Sequence, residues 1–170
     1  LNIALGNSSG EINFSSDLNC MNHVIADDEK VQKKITVGIS TLDSELKMLQ
    51  VIKKLKETFP IPIKATFLGA HAIPSKYKEN REEYIELIIN NIIPEVASQK
   101  LADYIDVFCE KGYFSAVETD RILKAGAIHG LIPKIHVNQF NSVGGVKVGV
   151  NNNALSVDHL EVLQDDDIKI

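Results

Sequence analysis

Cysteine, long apolar runs and nucleotide-binding motifs are scarce or missing in this sequence. The 170 residues include two cysteines, Cys20 and Cys109, which lie far apart and form no CxxC pair, so we expect a reduced, cytoplasmic protein. No apolar run approaches the roughly 18 residues of a membrane-spanning helix. Residues 1–10 lack the charged segment that precedes the apolar core of a signal peptide. No GxGxxG or P-loop pattern occurs, which leaves a nucleotide cofactor without support.

Positive charge is also in short supply. Lys and Arg number 18 against 23 Asp and Glu, which gives a formal net charge of −5. A nucleic-acid-binding domain would carry a basic face, and a protein that binds a membrane surface would carry a polybasic segment. We therefore predict neither nucleic acid nor a membrane as a partner. The 44% apolar and 24% charged residues are typical of a soluble globular domain.

The sequence pattern changes near residue 34. Residues 1–33 are rich in Ser, Asn and Asp and keep no regular apolar period, which predicts a loop-like segment. From 34 to 170, short apolar runs alternate with helical patterns, and Ser115 with Glu118 forms a capping-box signature for a helix that Gly130 ends. The predicted strands are 35–39, 61–72, 104–109, 132–137 and 155–160. Helices are predicted to begin near Ser40, Asn80 and Ser115, with a turn or short helix from Pro94 and a short helix or turn over 141–150.

The alternation of strands and helices predicts βαβ units and a parallel sheet. Such an α/β chain fits either an open doubly wound sheet or an arc of a (β/α)8 barrel, and both place functional sites at the carboxyl ends of strands. Polar side chains end four successive predicted strands, namely His71, Glu110, His136 and the neighbours Asp158 and His159. We therefore predict a polar cavity at that edge of the sheet. A lone strand-end histidine, by contrast, is more often a hydrogen-bonded structural residue.

Four other residues have plainer interpretations. Asp103 and Asp106 lie at the start of the strand predicted at 104–109 and can cap it or form ion pairs. Cys109 is most simply a small buried apolar residue. His129 is expected in the last turn of a helix, where a positive side chain suits the helix dipole.

Several motifs carry a family resemblance. They read Thr-Leu-Asp-Ser-Glu-Leu at 41–46, Phe-Leu-Gly-Ala-His-Ala-Ile-Pro at 67–74, Asp-Val-Phe-Cys-Glu at 106–110, Lys-Ile-His at 134–136 and Ser-Val-Asp-His at 156–159. In this order they resemble the imidazolonepropionases, an amidohydrolase-superfamily family of histidine degradation. Each motif is weak alone, but together they are specific. The resemblance covers residues 41–163 and leaves residues 1–33 unmatched.

The resemblance implies both a fold and a reaction. The implied fold is a partial (β/α)8 barrel of TIM type with parallel strands, incomplete at both ends, in which residues 34–170 form the central part. The implied reaction is metal-dependent hydrolysis of the cyclic amide C–N bond of 4-imidazolone-5-propanoate to N-formimidoyl-L-glutamate. One zinc or iron ion would serve as cofactor, since a divalent ion lowers the pKa of water and polarises a carbonyl. A homodimer is one assembly that the resemblance allows.

The resemblance also assigns roles to four residues. His136 fits the metal ligand of the fifth barrel strand. His159 fits the catalytic residue of the sixth strand, beside the attacking water. His71 and Gln139 fit positions that contact the substrate.

Other parts of the family's site are missing from the sequence. A His-x-His ligand pair and the substrate-binding Arg and Tyr are not found, and the Asp ligand of the eighth strand should lie beyond Ile170. One imidazole does not hold a catalytic metal, because such sites usually need about three protein ligands. We therefore expect the chain alone to be inactive. The alternative function is that of a non-catalytic barrel fragment, which acts as a scaffold or interaction module.

Overall fold

A four-stranded parallel sheet forms the centre of the described chain. This computed structural model describes residues 42–170, so the predicted loop at 1–33, the predicted strand at 35–39 and the predicted cap at Ser40 lie outside the described residues. The strands are β1 (Thr66–Ala70), β2 (Tyr104–Cys109), β3 (Ile132–Val137) and β4 (Val157–His159). They lie in the order β1-β2-β3-β4, and each neighbouring pair is parallel. The prediction of an α/β chain with a parallel sheet is confirmed.

Helices precede and follow the strands. They are α1 (Leu42–Thr58), α2 (Arg81–Leu87), α3 (Ile93–Ser98), α4 (Ala116–Ile128), α5 (Gly145–Asn151) and α6 (Asp165–Ile168), with a 3-10 turn at Ser75–Tyr77. A π-helical turn, Ile88–Ile92, joins α2 to α3. It directly precedes the first turn of α3, which contains Pro94, a residue that an uninterrupted α-helix does not accept. Between residues 42 and 170, no helix combines the length and apolar character needed to cross a membrane.

Local sequence sets both ends of α4. The hydroxyl oxygen of Ser115 accepts a hydrogen bond from the backbone N–H of Glu118 at 3.3 Å, and the Glu118 carboxylate accepts one from the Ser115 N–H at 2.7 Å. This is the predicted capping box. After the helix, Gly130 adopts a φ of +83°, a left-handed conformation that glycine reaches without a steric penalty. The predicted start and stop of this helix are confirmed.

Three predicted elements have different bounds in the structure. β1 begins at Thr66 rather than at residue 61, because pairing with β2 starts only there, and Pro62 has no N–H to donate to a sheet. β4 covers 157–159 instead of 155–160, and it ends where φ becomes +84° at His159 and +64° at Leu160. The short helix or turn predicted over 141–150 is a helix that begins only at residue 145, after Gly144 in a left-handed conformation.

One face of the sheet is apolar and is covered by helices. Along β2 and β3, alternation places Ile105 and Ile135 on this face, and both are fully buried. Helices α4 and α5 pack against it closely. A Cβ added to Gly126 would lie 2.6 Å from Cγ2 of Ile105, and one added to Gly145 would lie 2.7 Å from Cγ1 of Val137. Glycine at these two positions therefore permits the helices to approach the sheet.

The opposite face of the sheet carries polar side chains. Alternation places Asp106 and Phe108 of β2, Lys134 and His136 of β3, and Asp158 of β4 on this face. A doubly wound sheet reverses its strand order and carries helices on both faces. Sequential strand order, with α4 and α5 on the apolar face, instead matches the wall of a barrel, whose other face lines the interior. The described chain thus has the arrangement of a partial TIM-type barrel.

Candidate active site

Residues at the carboxyl ends of three strands lie beside one another. Strand pairing aligns Phe108, His136 and Asp158 across β2, β3 and β4, and it aligns Val137 with His159. The imidazole rings of His136 and His159 have centroids 5.3 Å apart and planes inclined by 57°. The sheet therefore brings together the two histidines that the sequence analysis assigns to the metal and to the attacking water.

A buried carboxylate on the neighbouring strand holds His136. Nδ1 of His136 lies 2.9 Å from Oδ1 of Asp106, a residue that is only 2% exposed. This hydrogen bond raises the pKa of His136, because a carboxylate stabilises the imidazolium, while burial of the ring acts in the opposite direction. Asp106 thus hydrogen-bonds to His136, and this contact becomes an ion pair, one of the two roles predicted for Asp106, when the imidazole is protonated. It leaves Nε2 as the ring nitrogen available to a ligand.

His159 reaches His136 through an uncommon backbone conformation. In an extended strand, His159 would point to the face opposite His136, because its pairing partner is Val137 and side chains alternate. Its φ of +84° is rare for a residue with a Cβ and takes the chain out of that alternation. Nδ1 of the ring lies 3.1 Å from Oε1 of Glu161. Backbone strain of this kind clusters at functional sites.

Two carboxylates flank His136 on the polar face. Asp106, His136 and Asp158 offer ligand atoms that all lie within 4.8 Å of one another, and zinc and iron accept these donor types. One oxygen of Asp158 already has partners, since Nζ of Lys134 lies 3.2 Å from its Oδ2 and the Ser156 hydroxyl donates to the same oxygen at 3.3 Å. The carboxylate of Asp106 is engaged by His136. Nε2 of His136 is therefore a donor that these contacts leave unused.

His71 follows β1 and packs in an aromatic cluster. Its ring stacks on Phe108 with centroids 5.2 Å apart, and the ring of Tyr113 lies edge-on at 6.4 Å. Burial lowers the pKa of His71, and the charge of His136 lowers it further, so the ring is neutral at pH 7. Its Nδ1 is buried and has no hydrogen-bond partner within the described chain. This unused polar atom is suited to a ligand.

Glu110 holds the loop that carries Gln139. Its carboxylate accepts hydrogen bonds from the backbone N–H groups of Phe140 at 3.0 Å and Asn141 at 3.2 Å, and from the Asn141 side-chain amide at 2.9 Å. Burial favours the neutral carboxyl, but these bonds and one from the backbone N–H of Lys111 outweigh it and lower the pKa of Glu110. Glu110 ends a strand as predicted, and it ties the loop after β2 to the loop after β3.

The four predicted site residues differ in how closely they associate. His71 and His136 are near enough for the charge of one to shift the pKa of the other, and His136 contacts His159. Gln139 lies three residues after His136 in the sequence and makes no hydrogen bond or ring contact with these histidines in residues 42–170. Sequence reasoning missed the pairing of Lys134 with Asp158. Its only signal was the period-two spacing of Lys134 and His136, which places them on one face.

The residues that the sequence analysis interprets as structural rather than functional have the expected surroundings. Asp103 forms ion pairs with Lys56 and with Lys64, whose Nζ lies 3.0 Å from Oδ1. Cys109 is a free, fully buried thiol, and its burial raises its pKa. His129 is exposed at the carboxyl end of α4. These predictions are confirmed, whereas Cys20 lies outside the described residues.

Loss of the Glu110 charge is expected to destabilise the fold. In Glu110→Gln, the N–H groups that now bond to the carboxylate lose a charged acceptor, and the new amide NH2 faces them as another donor. We therefore expect the free energy of unfolding in urea to fall by about 2–3 kcal/mol at pH 7. The pKa of Glu110 is lower in the folded state than the unfolded value of about 4.3, so its stabilisation is present above that pH. It is lost as the pH falls through the folded-state pKa, and the difference between wild type and variant should shrink there.

The matched control is Glu57→Gln, which changes an exposed carboxylate of α1. A surface change of this kind should alter the free energy of unfolding by no more than about 0.5 kcal/mol. Equal effects of the two substitutions would contradict the structural role of Glu110.

Comparison with known proteins gives one consistent result. No protein-family model matches the chain. The imidazolonepropionase of Christiangramia forsetii is 63% identical over 130 residues, which cover 76% of this chain and 32% of that protein. The imidazolonepropionase of Flavobacterium johnsoniae is 64% identical over 129 residues, with 76% of this chain and 31% of that protein covered.

A third relative extends the match. The imidazolonepropionase of Flavobacterium psychrophilum is 51% identical over 170 residues, and the alignment covers 96% of this chain and 41% of that protein. This alignment therefore includes part of residues 1–33, for which the motifs gave no resemblance. Over about three quarters of its length or more, this chain is thus similar to a segment of the imidazolonepropionases, and it spans about a third to two fifths of the length of these relatives.

Proposed function

We propose that this chain contributes to the active site of an imidazolonepropionase, which hydrolyses the cyclic amide C–N bond of 4-imidazolone-5-propanoate to N-formimidoyl-L-glutamate. One observation carries the proposal. The imidazolonepropionase of Flavobacterium psychrophilum, 51% identical, aligns over 96% of this chain, and that aligned stretch includes His136 and His159, whose ring centroids lie 5.3 Å apart at the carboxyl ends of neighbouring strands. Active sites of (β/α)8 enzymes lie at that end of the barrel. No observation on residues 42–170 favours the alternative of a non-catalytic scaffold.

One zinc or iron ion is the proposed cofactor, and His136 is its proposed ligand in this chain. The donor chemistry fits, because Nε2 of His136 is not used by the bond to Asp106, and the carboxylates of Asp106 and Asp158 each offer an oxygen within 4.8 Å of a ring nitrogen of His136. When bound, such an ion lowers the pKa of water towards neutrality and polarises the carbonyl that is attacked. The family resemblance attributes the remaining ligands to segments other than residues 42–170.

His159 is the proposed general acid and base. It would take a proton from the attacking water and deliver one to the ring nitrogen as the C–N bond breaks. Its contact with Glu161 through Nδ1 leaves Nε2 to exchange these protons. A positioned histidine of this kind contributes roughly 10²–10⁴-fold to a rate.

His71 and Gln139 are proposed to hold the substrate. The buried, unpartnered Nδ1 of His71 supports this role, because a polar group of the substrate would satisfy it. Gln139 lies in a loop that Glu110 fixes in place, so its amide could be presented in a constant position. Burial lowers the pKa of His71, which favours the neutral ring for this contact.

We also infer a cytoplasmic protein that acts on a small molecule, with a homodimer as the assembly to be tested. The free thiol of Cys109 fits a reducing compartment. The negative net charge of −5 fits a protein that binds neither nucleic acid nor an anionic membrane. Light scattering of the purified protein tests the dimer.

Transplantation into a relative tests the proposed function. In the imidazolonepropionase of Christiangramia forsetii, the aligned segment is replaced by the matching 130 residues of this chain. We expect this chimaera to bind zinc or iron and to open the imidazolone ring with a turnover of roughly 1–10³ per second, the usual enzyme range. The isolated chain serves as control and should show no turnover. A folded chimaera that lacks both metal and turnover would refute the proposal.

Removal of the two substrate-contacting side chains should weaken substrate binding and leave the metal in place. For His71→Ala or Gln139→Ala in the chimaera, we expect KM to rise about tenfold, which corresponds to one lost hydrogen bond of about 1.4 kcal/mol. The exposed His129 provides a control, since His129→Ala lies at the carboxyl end of α4 and should leave KM unchanged. Metal loss in His71→Ala would show that His71 is a ligand instead.

A further inference from the structure

The carboxylate of Asp106 lies where it can control which nitrogen of His136 carries the proton. Its Oδ1 is 2.9 Å from Nδ1 of His136, across neighbouring strands and 30 residues away in the sequence. Asp106 is 2% exposed, so water does not compete with this contact. A buried carboxylate accepts hydrogen bonds but donates none when ionised, and the shared proton therefore belongs on Nδ1.

We propose that Asp106 is a positioning residue, which holds the His136 ring in its Nδ1–H tautomer and so presents the lone pair of Nε2 to the metal ion. The metal half of this inference rests on the proposed function, whereas the tautomer half does not. A metal ligand must offer an unprotonated nitrogen, and a carboxylate on the other nitrogen fixes both the tautomer and the ring orientation.

Asp158 is the natural competitor for this role, and its contacts argue against it. Asp158 lies beside His136 on β4, and its ligand atom is within 4.8 Å of those of His136 and Asp106. Its Oδ2, however, is bound by the ammonium of Lys134 at 3.2 Å and by the hydroxyl of Ser156 at 3.3 Å. The two carboxylates on either side of His136 thus have different partners, which makes them a matched pair for substitution.

The tautomer can be read directly in the full 170-residue chain. Nitrogen-15 NMR at a pH where His136 is neutral distinguishes Nδ1–H from Nε2–H, and His136→Gln identifies its signals among those of the five histidines. We expect the Nδ1–H form in the wild type. In Asp106→Asn the amide can donate to Nδ1, so we expect a shift to the Nε2–H form, while Asp158→Asn should keep the wild-type tautomer. An Nε2–H wild type, or an unchanged Asp106→Asn, would overturn the proposal.

Metal affinity in the chimaera provides the second measurement. With zinc as the probe, we expect Asp106→Asn to weaken binding about 10–100-fold, the usual effect of removing the carboxylate partner of a ligating histidine. Asp158→Asn should weaken binding less. Equal, large losses in the two variants would show direct ligation by both carboxylates and overturn the positioning role, as would undiminished affinity in Asp106→Asn. A chimaera that binds no zinc even with Asp106 present would count against the proposed function and leave the tautomer result intact.

Discussion

Replacement of His136 by Ala in the Christiangramia forsetii chimaera is expected to abolish metal binding and turnover together. His136 is the one residue of this chain that the family resemblance assigns to the metal, and its Nε2 is uncommitted while Asp106 holds Nδ1. Without this ligand the site loses the ion that lowers the pKa of water. We expect turnover to fall by at least ~10³-fold, about 4 kcal/mol in the barrier. Metal analysis by mass spectrometry and a ring-opening assay measure the two losses on the same sample.

The coupling of the two losses is the decisive feature. His129→Ala is the control, because it removes an exposed imidazole from the end of α4 and should leave both metal content and turnover unchanged. A His136→Ala protein with full metal content would refute the assignment of His136 as a metal ligand, even if turnover were lost. In that case His136 would act on the substrate or on the proton instead.

Replacement of His159 by Ala is expected to lower turnover by ~100-fold or more while the metal stays bound. The proposed role is proton transfer, and loss of such a group typically removes roughly 10²–10⁴-fold in rate. The ring lies beside His136, with centroids 5.3 Å apart, but it is not a proposed ligand. Near-normal turnover in His159→Ala would refute the role.

The backbone at His159 requires a second variant. Its φ of +84° costs less for Asn than for most residues with a Cβ, so His159→Asn separates strain from chemistry. We expect His159→Asn to be as inactive as His159→Ala and better folded. Glu161→Gln, which alters only the partner of Nδ1, should reduce turnover less than tenfold. If Glu161→Gln were as inactive as His159→Ala, the carboxylate rather than the imidazole would carry the proton.

Helices and strands whose ends are set by their own residues were predicted well. The bounds of β2 and β3 agree with the prediction because each is a short apolar run between clear turn signals, and α4 has its capping box and terminal glycine within its own sequence. Elements whose ends depend on non-local pairing were predicted less well. The run at 61–72 pairs with β2 only over Thr66–Ala70, and its other residues are not in a strand.

The candidate site shows the same division. The strand-end positions of His71, His136 and His159 could be read from the sequence, since polar residues at the ends of apolar runs are visible there. The side chain that contacts each ring could not be read from the sequence. Asp106 meets His136 only because β2 and β3 pair in one particular register, and a shift of one residue would turn the carboxylate to the other face.

The amino-acid sequence by itself determined the α/β alternation, the capped helix α4, the chemistry at the strand ends and the resemblance to the imidazolonepropionases, because each depends on residue type and short spacing. Only the tertiary structure decided what the polar residues do. The carboxylate of Glu110 links two loops by hydrogen bonds, and Asp158 forms an ion pair with Lys134. Strand register and a left-handed residue at His159 set those partners, and both result from packing between segments far apart in the chain.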